Sequence, residues 1–320
     1  MGTTYMSRIK QNYSFIRILT GSDLSMRRVP YMAARHENAG PLVLFTACMH
    51  GDEIGGTVII HELFKRLRKQ LLKGSVVAFP LVNPFGFETI SRNIAMSKED
   101  LNRSFPGDEK GTLAERIAAI IFSNILKERP ALVIDLHNDW NKSIPYVLLD
   151  PFREEHIDRE IRTYAASTGL LQIEDTDKIE SSLTYNLIHR DIPALVLELG
   201  ESYIINEKNI EIGMKAIWNI LTDMGMVADD GFTYHFPLPE QVRNKILKYS
   251  PLPLSSTSGI VRFLRKPGDL VRKGQKIAKV YNAFGKQIET ISAQADGIII
   301  GHTDSALAFP GSPVMAFGLF

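Results

Sequence analysis

Short apolar runs alternate with segments of helical periodicity between about residue 40 and residue 225, and this alternation limits the fold more than any other feature of the chain. Strands that alternate with helices are typical of an α/β sheet with helices on both faces. The sequence therefore predicts a mixed α/β sheet. The predicted strands are 42–48, 75–81, 131–136, 145–149 and 192–199, and the predicted helices are 55–70, 112–127, 153–168 and 206–224.

Length, composition and charge exclude several function classes. The chain has 320 residues, of which 44% are hydrophobic, and a formal net charge of +1. The basic segment 65–73 follows apolar residues at helical spacing, so we interpret it as the solvated face of a helix. Without a basic stripe we expect no nucleic-acid partner, and no stretch reaches the roughly 18 uninterrupted apolar residues of a membrane span.

Metal-ligand types stand where two of the predicted strands end. His50 and Glu53 follow the strand 42–48, and His137 ends the strand 131–136. Parallel strands of an α/β sheet deliver such residues to one crevice. Two histidines and one glutamate are a frequent ligand set of catalytic zinc, which keeps a fourth position open for water. We predict one Zn²⁺ on these three residues; the alternative is a loop histidine and a satisfied histidine at a strand end.

The polar stretch 83–107 is long for a loop without apolar periodicity, and such loops are usually functional or disordered. It carries Arg92, Asn102 and Arg103. An arginine fork suits carboxylates and developing oxyanions, and a neighbouring asparagine can donate to the same carboxylate. The alternative interpretation is that these are scattered surface side chains.

One carboxylate, Glu198, interrupts the apolar strand 192–199. Burying an ionised glutamate is costly unless the group is paired or functional. Near a metal site a glutamate can take the proton of water and pass it to a leaving nitrogen. An ion pair with an arginine and an exposed strand end are the structural alternatives, and Glu201 is the competing candidate for the base.

Two further residues near the proposed ligands have open roles. Asp135 points to the same side of its strand as His137, so it either orients that ligand or caps the strand end. The single cysteine, Cys48, cannot form an intrachain disulfide, and we interpret it as a buried small hydrophobe rather than as a ligand or nucleophile. A lone cysteine and an N-terminus without an apolar core of a signal peptide predict a cytoplasmic protein.

Six motifs in this order resemble the succinylglutamate desuccinylase/aspartoacylase family of the zinc carboxypeptidase superfamily. They are H-G-D-E from residue 50, N-P-x-G from 83, Arg92, D-L-N-R-x-F-P-G from 100, D-L-H-N from 135 and L-E-L-G from 197, and the resemblance covers roughly residues 40–220.

The resemblance implies a zinc carboxypeptidase-like fold and a role for each site residue. It implies zinc on His50, Glu53 and His137, and Glu198 as the general base. It also implies that Arg92 stabilises the oxyanion and that Asn102 and Arg103 hold the free carboxylate of the substrate. A tyrosine or a second arginine often completes such sites. The sequence assigns neither, although Tyr185, Arg190 and Tyr203 lie in plausible neighbourhoods.

The composition changes at 236–258, where prolines and serines predict a linker. We therefore predict a catalytic domain over 1–235 and a small all-β, barrel-like domain over 259–320. This last segment resembles biotinyl/lipoyl carrier domains, but its turn N-A-F-G-K-Q makes Lys286 a poor fit to a carrier lysine. We expect a structural or lid role for it.

The sequence thus predicts a zinc-dependent amidohydrolase that removes the acyl group from a small N-acyl amino acid. Two alternatives stay open: a metallocarboxypeptidase acting on short peptides, and a non-catalytic protein that kept a metal site. A cationic amino acid in the substrate is allowed, because related proteins with this tail include deacylases of N-acetylated diamino acids. A homo-oligomer is compatible with the chain.

Overall fold

The structure is a computed structural model, and it describes residues 9–20, 24–151, 155–229, 231–303 and 307–320. Its strands are β1 (Ile9–Thr20), β2 (Met26–His36), β3 (Leu42–Ala47), β4 (Ser75–Phe79), β5 (Leu132–His137), β6 (Lys142–Ser143), β7 (Tyr146–Leu149), β8 (Leu171–Glu174), β9 (Ala194–Glu198), β10 (Ile246–Ser250), β11 (Gly259–Phe263), β12 (Leu270–Val271), β13 (Lys276–Tyr281), β14 (Gln287–Ser292), β15 (Gly297–His302), β16 (Leu307–Ala308) and β17 (Met315–Leu319). Its helices are α1 (Gly55–Gln70), α2 (Pro84–Glu88), α3 (Leu113–Glu128), α4 (Glu155–Ser167), α5 (Leu183–Ile188) and α6 (Glu207–Asp223), with a 3-10 helix at Leu101–Arg103.

The five predicted strands correspond to β3, β4, β5, β7 and β9, and the four predicted helices to α1, α3, α4 and α6. Helix α3 begins at a capping box, since the Thr112 hydroxyl accepts a hydrogen bond from the Glu115 amide and the Glu115 carboxylate accepts one from the Thr112 amide. Most of the ends agree within two residues. The α/β fold class is confirmed. The sequence patterns did not predict the antiparallel hairpin of β1 and β2 or the short strand β8.

Thirteen strands of the described residues form one mixed sheet in the order β1-β2-β4-β3-β5-β9-β7-β8-β10-β17-β15-β12, with β6 paired to β15. The central strands β4, β3, β5 and β9 run parallel to one another. Strand β7 is antiparallel to β9 and parallel to β8. The direction of the chain therefore reverses between β9 and β7, next to the ends of the strands that carry the predicted ligands.

The central strands are buried because helices cover them. All residues of β5 and all but the first residue of β3 are buried, which matches their nearly continuous apolar sequences. Helix α1 packs against both strands and against α6. Its buried stripe of Ile59, Leu63 and Leu67 follows helical spacing and joins the main apolar core.

The C-terminal strands divide between two sheets. Strands β12, β15 and β17 extend the large sheet, while β11, β13, β14 and β16 form a separate antiparallel sheet. An apolar core that includes Val261, Ile277 and Phe317 lies between them. The segment predicted as a linker contains β10, which pairs with β8 and β17. The domain limits at 235 and 259 remain predictions.

No helix among the described residues has both the length and the apolar character that crossing a membrane requires.

Candidate metal centre and active site

The carboxyl ends of β3, β5 and β9 lie side by side. The strands are parallel, and the register pairs Ala47 with Leu136 and His137 with Glu198. His50 and Glu53 follow the end of β3 by a few residues. The chain therefore brings the predicted ligands and the predicted base to one edge of the sheet, as parallel pairing requires.

His50, Glu53 and His137 form a buried cluster in which one potential ligand atom from each residue lies within 4.8 Å of the others. The Glu53 carboxylate lies between the two rings: Oε1 is 2.7 Å from Nδ1 of His50, and Oε2 is 2.8 Å from Nδ1 of His137. The side chains of the three residues are 4–5% exposed. This is the group of potential metal ligands that the described residues contain.

Carboxylates orient both imidazole rings from the outside. Nε2 of His137 lies 2.8 Å from Oδ2 of Asp135, whose Oδ1 accepts a hydrogen bond of 2.6 Å from the Thr46 hydroxyl. Nε2 of His50 lies 3.2 Å from Oδ1 of Asp100. Such partners fix the ring orientation and raise the basicity of a ligating histidine. The geometry favours the orienting role for Asp135 over a strand-end cap.

The electrostatics of the cluster favour a bound cation. Burial raises the pKa of Glu53, but the charges and hydrogen bonds of His50 and His137 outweigh burial and hold that pKa well below its usual range. Burial lowers the pKa of each histidine, whereas the charges and hydrogen bonds of the neighbouring carboxylates raise it. Two imidazole nitrogens and a carboxylate oxygen suit Zn²⁺, so the residues fit the predicted metal.

Glu198 ends β9 directly opposite His137 and is 9% exposed. Its Oε2 atom is buried and has no hydrogen-bond partner among the described residues. Burial, and then the charge of Asp139, raise the pKa of Glu198 well above the usual value for a glutamate. A buried carboxylate with a raised pKa and an unpartnered oxygen is equipped to exchange a proton with a bound molecule.

Two glycines let α1 begin close to this edge of the sheet. A Cβ on Gly55 would lie 2.9 Å from Nδ2 of Asn138, and a Cβ on Gly56 would lie 2.6 Å from Cβ of Leu136. Both contacts are shorter than side chains tolerate. The glycines after Glu53 therefore allow the helix to pack against the end of β5.

Arg92 reaches the cluster from the long loop. Its Nη1 lies 3.5 Å from Oε1 of Glu53, while Nε and Nη2 donate to Oδ2 of Asp100 at 3.2 and 3.0 Å. Asp100 therefore holds Arg92 and His50 at the same time. This link was not predicted, although Asp100 opens the D-L-N-R motif.

Asn102 and Arg103 lie on the same 3-10 helix. Oδ1 of Asn102 accepts a hydrogen bond of 3.0 Å from the Leu183 amide at the start of α5. This bond leaves the Nδ2 end of the Asn102 amide as the end that can donate to a ligand. The Arg103 side chain is exposed and donates through Nη1 to the Asn102 carbonyl at 3.0 Å.

A cavity of about 260 Å³ contains the whole candidate site. Its wall includes the seven predicted residues His50, Glu53, Arg92, Asn102, Arg103, His137 and Glu198. It also includes residues that the sequence analysis missed, namely Tyr146, Tyr249, Asp139, Asp150, Asp175 and Asp177. Of the described residues in the wall, Tyr249 of β10 is the last along the chain, so the cavity is lined by none of the residues that the structure describes after 258.

The two tyrosines in the wall come from strands rather than from the neighbourhoods that we predicted. Tyr146 is paired with Glu198 in the sheet, and its hydroxyl donates to Oδ2 of Asp139 at 2.5 Å. Tyr249 belongs to β10, inside the segment predicted as a linker. A tyrosine at the start of a short apolar run carries no functional motif, so its sequence offered no signal.

The other candidates from the sequence lie outside the cavity wall. The rings of Tyr185 and His189 stack with centroids 3.9 Å apart, and the Arg190 guanidinium lies over Phe122. The Tyr203 side chain is 54% exposed. Glu201 accepts hydrogen bonds from Lys142 at 3.0 Å and from Asn206 at 2.7 Å. These contacts engage Glu201 elsewhere, and of the two glutamates Glu198 is the one that lines the cavity.

Cys48 and Lys286 also have structural surroundings. Cys48 is buried, and burial with the charges of Glu53 and Asp52 raises the pKa of its thiol to about 12. A thiol in this state is a poor nucleophile. Lys286 lies in the turn between β13 and β14, where its amide donates to Oδ1 of Asn282.

Sequence comparison relates most of this chain to known enzymes. A family model described as the succinylglutamate desuccinylase/aspartoacylase catalytic domain matches residues 39–224. The chain is 28% identical over 283 residues to an N-alpha-acetyl-L-2,4-diaminobutyric acid deacetylase of Halomonas elongata, and the match covers 85% of this chain and 79% of that protein.

Solved structures have the same fold at low sequence identity. A succinylglutamate desuccinylase/aspartoacylase from Rhodobacter sphaeroides superposes with a TM-score of 0.84 at 21% identity, covering 97% of this chain and 95% of that one. The ectoine utilization protein EutE (DoeB) from Ruegeria pomeroyi, in its product-bound structure, gives 0.83 at 20% identity over 98% and 95%. A metallo-carboxypeptidase from Burkholderia cenocepacia gives 0.53 at 15% identity over 67% and 64%.

Proposed function

This chain belongs to the succinylglutamate desuccinylase/aspartoacylase family, and we propose that it is a zinc-dependent amidohydrolase that cleaves the amide bond of a small N-acyl amino acid. The observation that carries the proposal is the buried His50, Glu53 and His137 cluster with the unpartnered carboxylate oxygen of Glu198 beside it. A site for binding alone would have no need for a buried, protonatable group next to the ligands.

The three ligands are prepared for a metal before one binds. Asp135 and Asp100 hold the two rings with their Nδ1 atoms toward the Glu53 carboxylate. A zinc ion on these residues would polarise the acyl carbonyl and lower the pKa of a water molecule to about 7. The neighbouring side chains would position the substrate and transfer the proton.

Glu198 is the proposed general base. It accepts a proton from the attacking water and then donates that proton to the leaving amide nitrogen, so that the products are a carboxylic acid and a free amine. Its raised pKa favours the first half of this cycle, because a carboxylate with an ordinary pKa is a weaker base toward the water proton.

Arg92 is the proposed oxyanion donor. Asp100 holds its Nε and Nη2, while Nη1 points to the cluster. A donor fixed in this way stabilises the negative charge that develops on the acyl oxygen without reorganising during the reaction. Asn102 and Arg103, on the same wall, hold the free carboxylate of the substrate.

The size of the site supports a small substrate. A cavity of about 260 Å³ accommodates a single N-acyl amino acid and little more. The curated relative of Halomonas elongata is named for an N-acetylated diamino acid, which supports an acetylated amino acid as the substrate of this chain.

Metal content and acid release test the proposal together. We expect about one zinc per chain by mass spectrometry. We also expect release of acid from members of a panel of N-acyl amino acids, which chelation abolishes and added zinc restores. His137→Ala is the matched control, because it removes one ligand and should lose both the metal and the activity.

The same panel includes short peptides. Hydrolysis of peptides with no turnover of N-acyl amino acids would assign the chain to carboxypeptidase chemistry. A protein that holds no metal and hydrolyses nothing after zinc is supplied would contradict the proposal.

A further inference from the structure

His50, Glu53 and His137, the metal cluster, lie at one end of the cavity. The opposite end is formed by the ends of two parallel strands. Asp150 follows β7 and Asp175 follows β8. The register pairs Leu149 with Glu174, and the Asp175 amide donates to the Leu149 carbonyl at 2.9 Å. The two aspartates therefore stand at equivalent positions on neighbouring strands, and Asp177 follows in the next turn.

This acidic end lies well away from the reacting end. Tyr146, at the start of β7, pairs with Glu198. Four residues of extended chain separate Tyr146 from Asp150, which is about 13 Å at 3.3 Å per residue. Leu148 and Val196 line the cavity between them. The floor is thus apolar in the middle, with the metal cluster at one end and carboxylates at the other.

Few positive charges compensate the carboxylates at this end. Asp150 and Asp175 are partly buried, and burial is the largest cause that raises the pKa of Asp150 to about 6 and the pKa of Asp175 above its usual value. Asp175 accepts a hydrogen bond of 3.1 Å from the Asp177 amide. A hydrogen bond with the Thr184 side chain and the charge of His189 lower the pKa of Asp150, but less than burial raises it. Hydrogen bonds from the Asp177 and Thr176 amides and the charge of Arg103 do the same for Asp175.

The charge of the cavity wall is negative overall. Apart from the histidines, Arg92 and Arg103 are the cationic side chains among the described residues of the wall, and Asp100 already engages Arg92. Against them the wall has Asp139, Asp150, Asp175 and Asp177 in addition to the predicted ligand Glu53. A substrate with a negative side chain would meet repulsion at the far end.

A second observation shows that this cavity is built to receive a ligand. Oε2 of Glu198 is buried, lines the same cavity and has no partner among the described residues. A buried unpartnered oxygen costs stability unless a bound molecule satisfies it. Asp150, Asp175 and Asp177 line this same cavity, so they belong to a ligand-binding cavity and are not an isolated surface cluster.

We propose that Asp150, Asp175 and Asp177 form a subsite for a positively charged group, an amine or a guanidinium, on the side chain of the amino acid that the enzyme releases. This inference rests on the proposed deacylase function. Arg103 and Asn102, which line the same cavity, take the carboxylate, so the free amino acid is bound at both of its charged ends. Among the described residues, these three aspartates are not a group that brings three ligand atoms within 4.8 Å of one another.

Matched substrate pairs test the subsite. Each pair consists of an N-acetyl amino acid with a side-chain amine and the same acid without it: 2,4-diaminobutyrate with 2-aminobutyrate, ornithine with norvaline, and lysine with norleucine. N-acetylaspartate and N-acetylglutamate serve as anionic members. We expect kcat/KM to favour the cationic member of at least one pair by about ten- to a hundredfold, the range of one charge-assisted hydrogen bond.

Three single variants, Asp150→Asn, Asp175→Asn and Asp177→Asn, assign the preference to the subsite. We expect the first two to lower the cationic-to-neutral ratio about tenfold or more, and the exposed Asp177→Asn to lower it less. Asp223→Asn, an exposed position at the end of α6, removes the same charge outside the cavity and should leave the ratio unchanged. Melting temperatures show whether each variant is folded.

The outcomes separate this inference from the proposed function. Turnover of neutral or anionic substrates in preference to cationic ones, or a ratio that none of the three variants changes, would overturn the subsite and leave the deacylase intact. If no substrate is hydrolysed, the function fails, and calorimetry with free diamino acids still decides the subsite. Tighter binding than that of the neutral acids would support the subsite, and equal or weaker binding would reject it.

Discussion

The two ends of one cavity contrast in how their charges are satisfied. At the metal end, Thr46, Asp135, His137, Glu53 and His50 form a continuous chain of contacts between 2.6 and 2.8 Å. At the acidic end, Asp150 and Asp175 line the cavity, and their hydrogen-bond partners are neutral groups. The metal end is arranged before any ligand arrives, whereas the acidic end depends on its ligand for charge compensation.

The pKa values of Glu53 and Asp100 at the metal end and of Asp150 at the acidic end are shifted in opposite directions. Burial raises the pKa of every carboxylate concerned. Near the metal cluster the histidines and Arg92 outweigh burial and hold the pKa values of Glu53 and Asp100 well below their usual range. At the acidic end burial dominates, and the pKa of Asp150 rises to about 6. The neighbours of a buried carboxylate therefore decide its protonation.

The largest expected effect is the loss of activity when the predicted base or a predicted ligand at the metal end is replaced. Glu198→Gln keeps the shape of the side chain but cannot accept a proton, so we expect kcat to fall by about a hundred- to ten-thousandfold with zinc retained. His137→Ala should lose zinc as well as activity. Steady-state kinetics and metal analysis of both variants separate the roles. Full activity of Glu198→Gln would require another base.

A smaller effect should follow from loosening the outer contacts of the cluster. Asp135→Asn weakens the hydrogen bond that orients His137, and partners of this kind typically contribute ten- to a hundredfold in metal affinity. We expect the zinc dissociation constant to rise by about that factor, measured by competition with a chelator. An unchanged constant would reduce Asp135 to a packing role.

Arg103 tests the wall between the two ends. Because its exposed guanidinium is proposed to hold the substrate carboxylate, Arg103→Ala should raise KM about tenfold or more with little change in kcat. Arg103→Lys keeps the charge but loses the planar fork of the guanidinium, so its KM should lie between those of the wild-type protein and Arg103→Ala. A fall in kcat at constant KM would instead place Arg103 in the transition state.

The smallest effect concerns stability at the acidic end. An aspartate with a folded pKa of about 6 keeps its proton in the folded state above the pH at which the unfolded chain loses it, so stability falls as the pH rises from about 4 to about 6. Asp150→Asn removes this penalty and should stabilise the protein by about 1–3 kcal/mol at pH 7.5.

Thermal or denaturant unfolding at pH 7.5 and near pH 4 checks the Asp150 prediction. The gain should become much smaller at the lower pH, where the wild-type carboxyl is protonated in the folded state and about half protonated in the unfolded chain. Equal gains at both pH values would point to a packing effect rather than to charge.

The contrast between the two ends also explains which residues sequence reasoning found. His50, Glu53 and His137 carry a recognisable ligand chemistry directly after apolar runs, and parallel strands bring such ends together. Asp150 and Asp175 carry no motif, since each is one aspartate after a short strand. Their adjacency arises from the register of β7 and β8, and β8 was not predicted.

The positions of Tyr146 and Tyr249 also could not be predicted from the sequence. Tyr146 meets Glu198 because β7 runs antiparallel to β9, and an apolar run does not reveal its direction in a sheet. Tyr249 reaches the cavity because β10 pairs with β8 across a long separation in sequence. Proline-rich flanks made that segment resemble a linker.

The sequence by itself determined the α/β class, the element pattern of residues 40–225 and the predicted ligand, base and loop residues that the cavity contains, because periodicity and ligand chemistry are local properties. Tertiary structure alone decided the strand order and the partners that shift each pKa. It also decided that four aspartates and two tyrosines share the cavity with the metal cluster. These features depend on long-range pairing and burial, which no local pattern encodes.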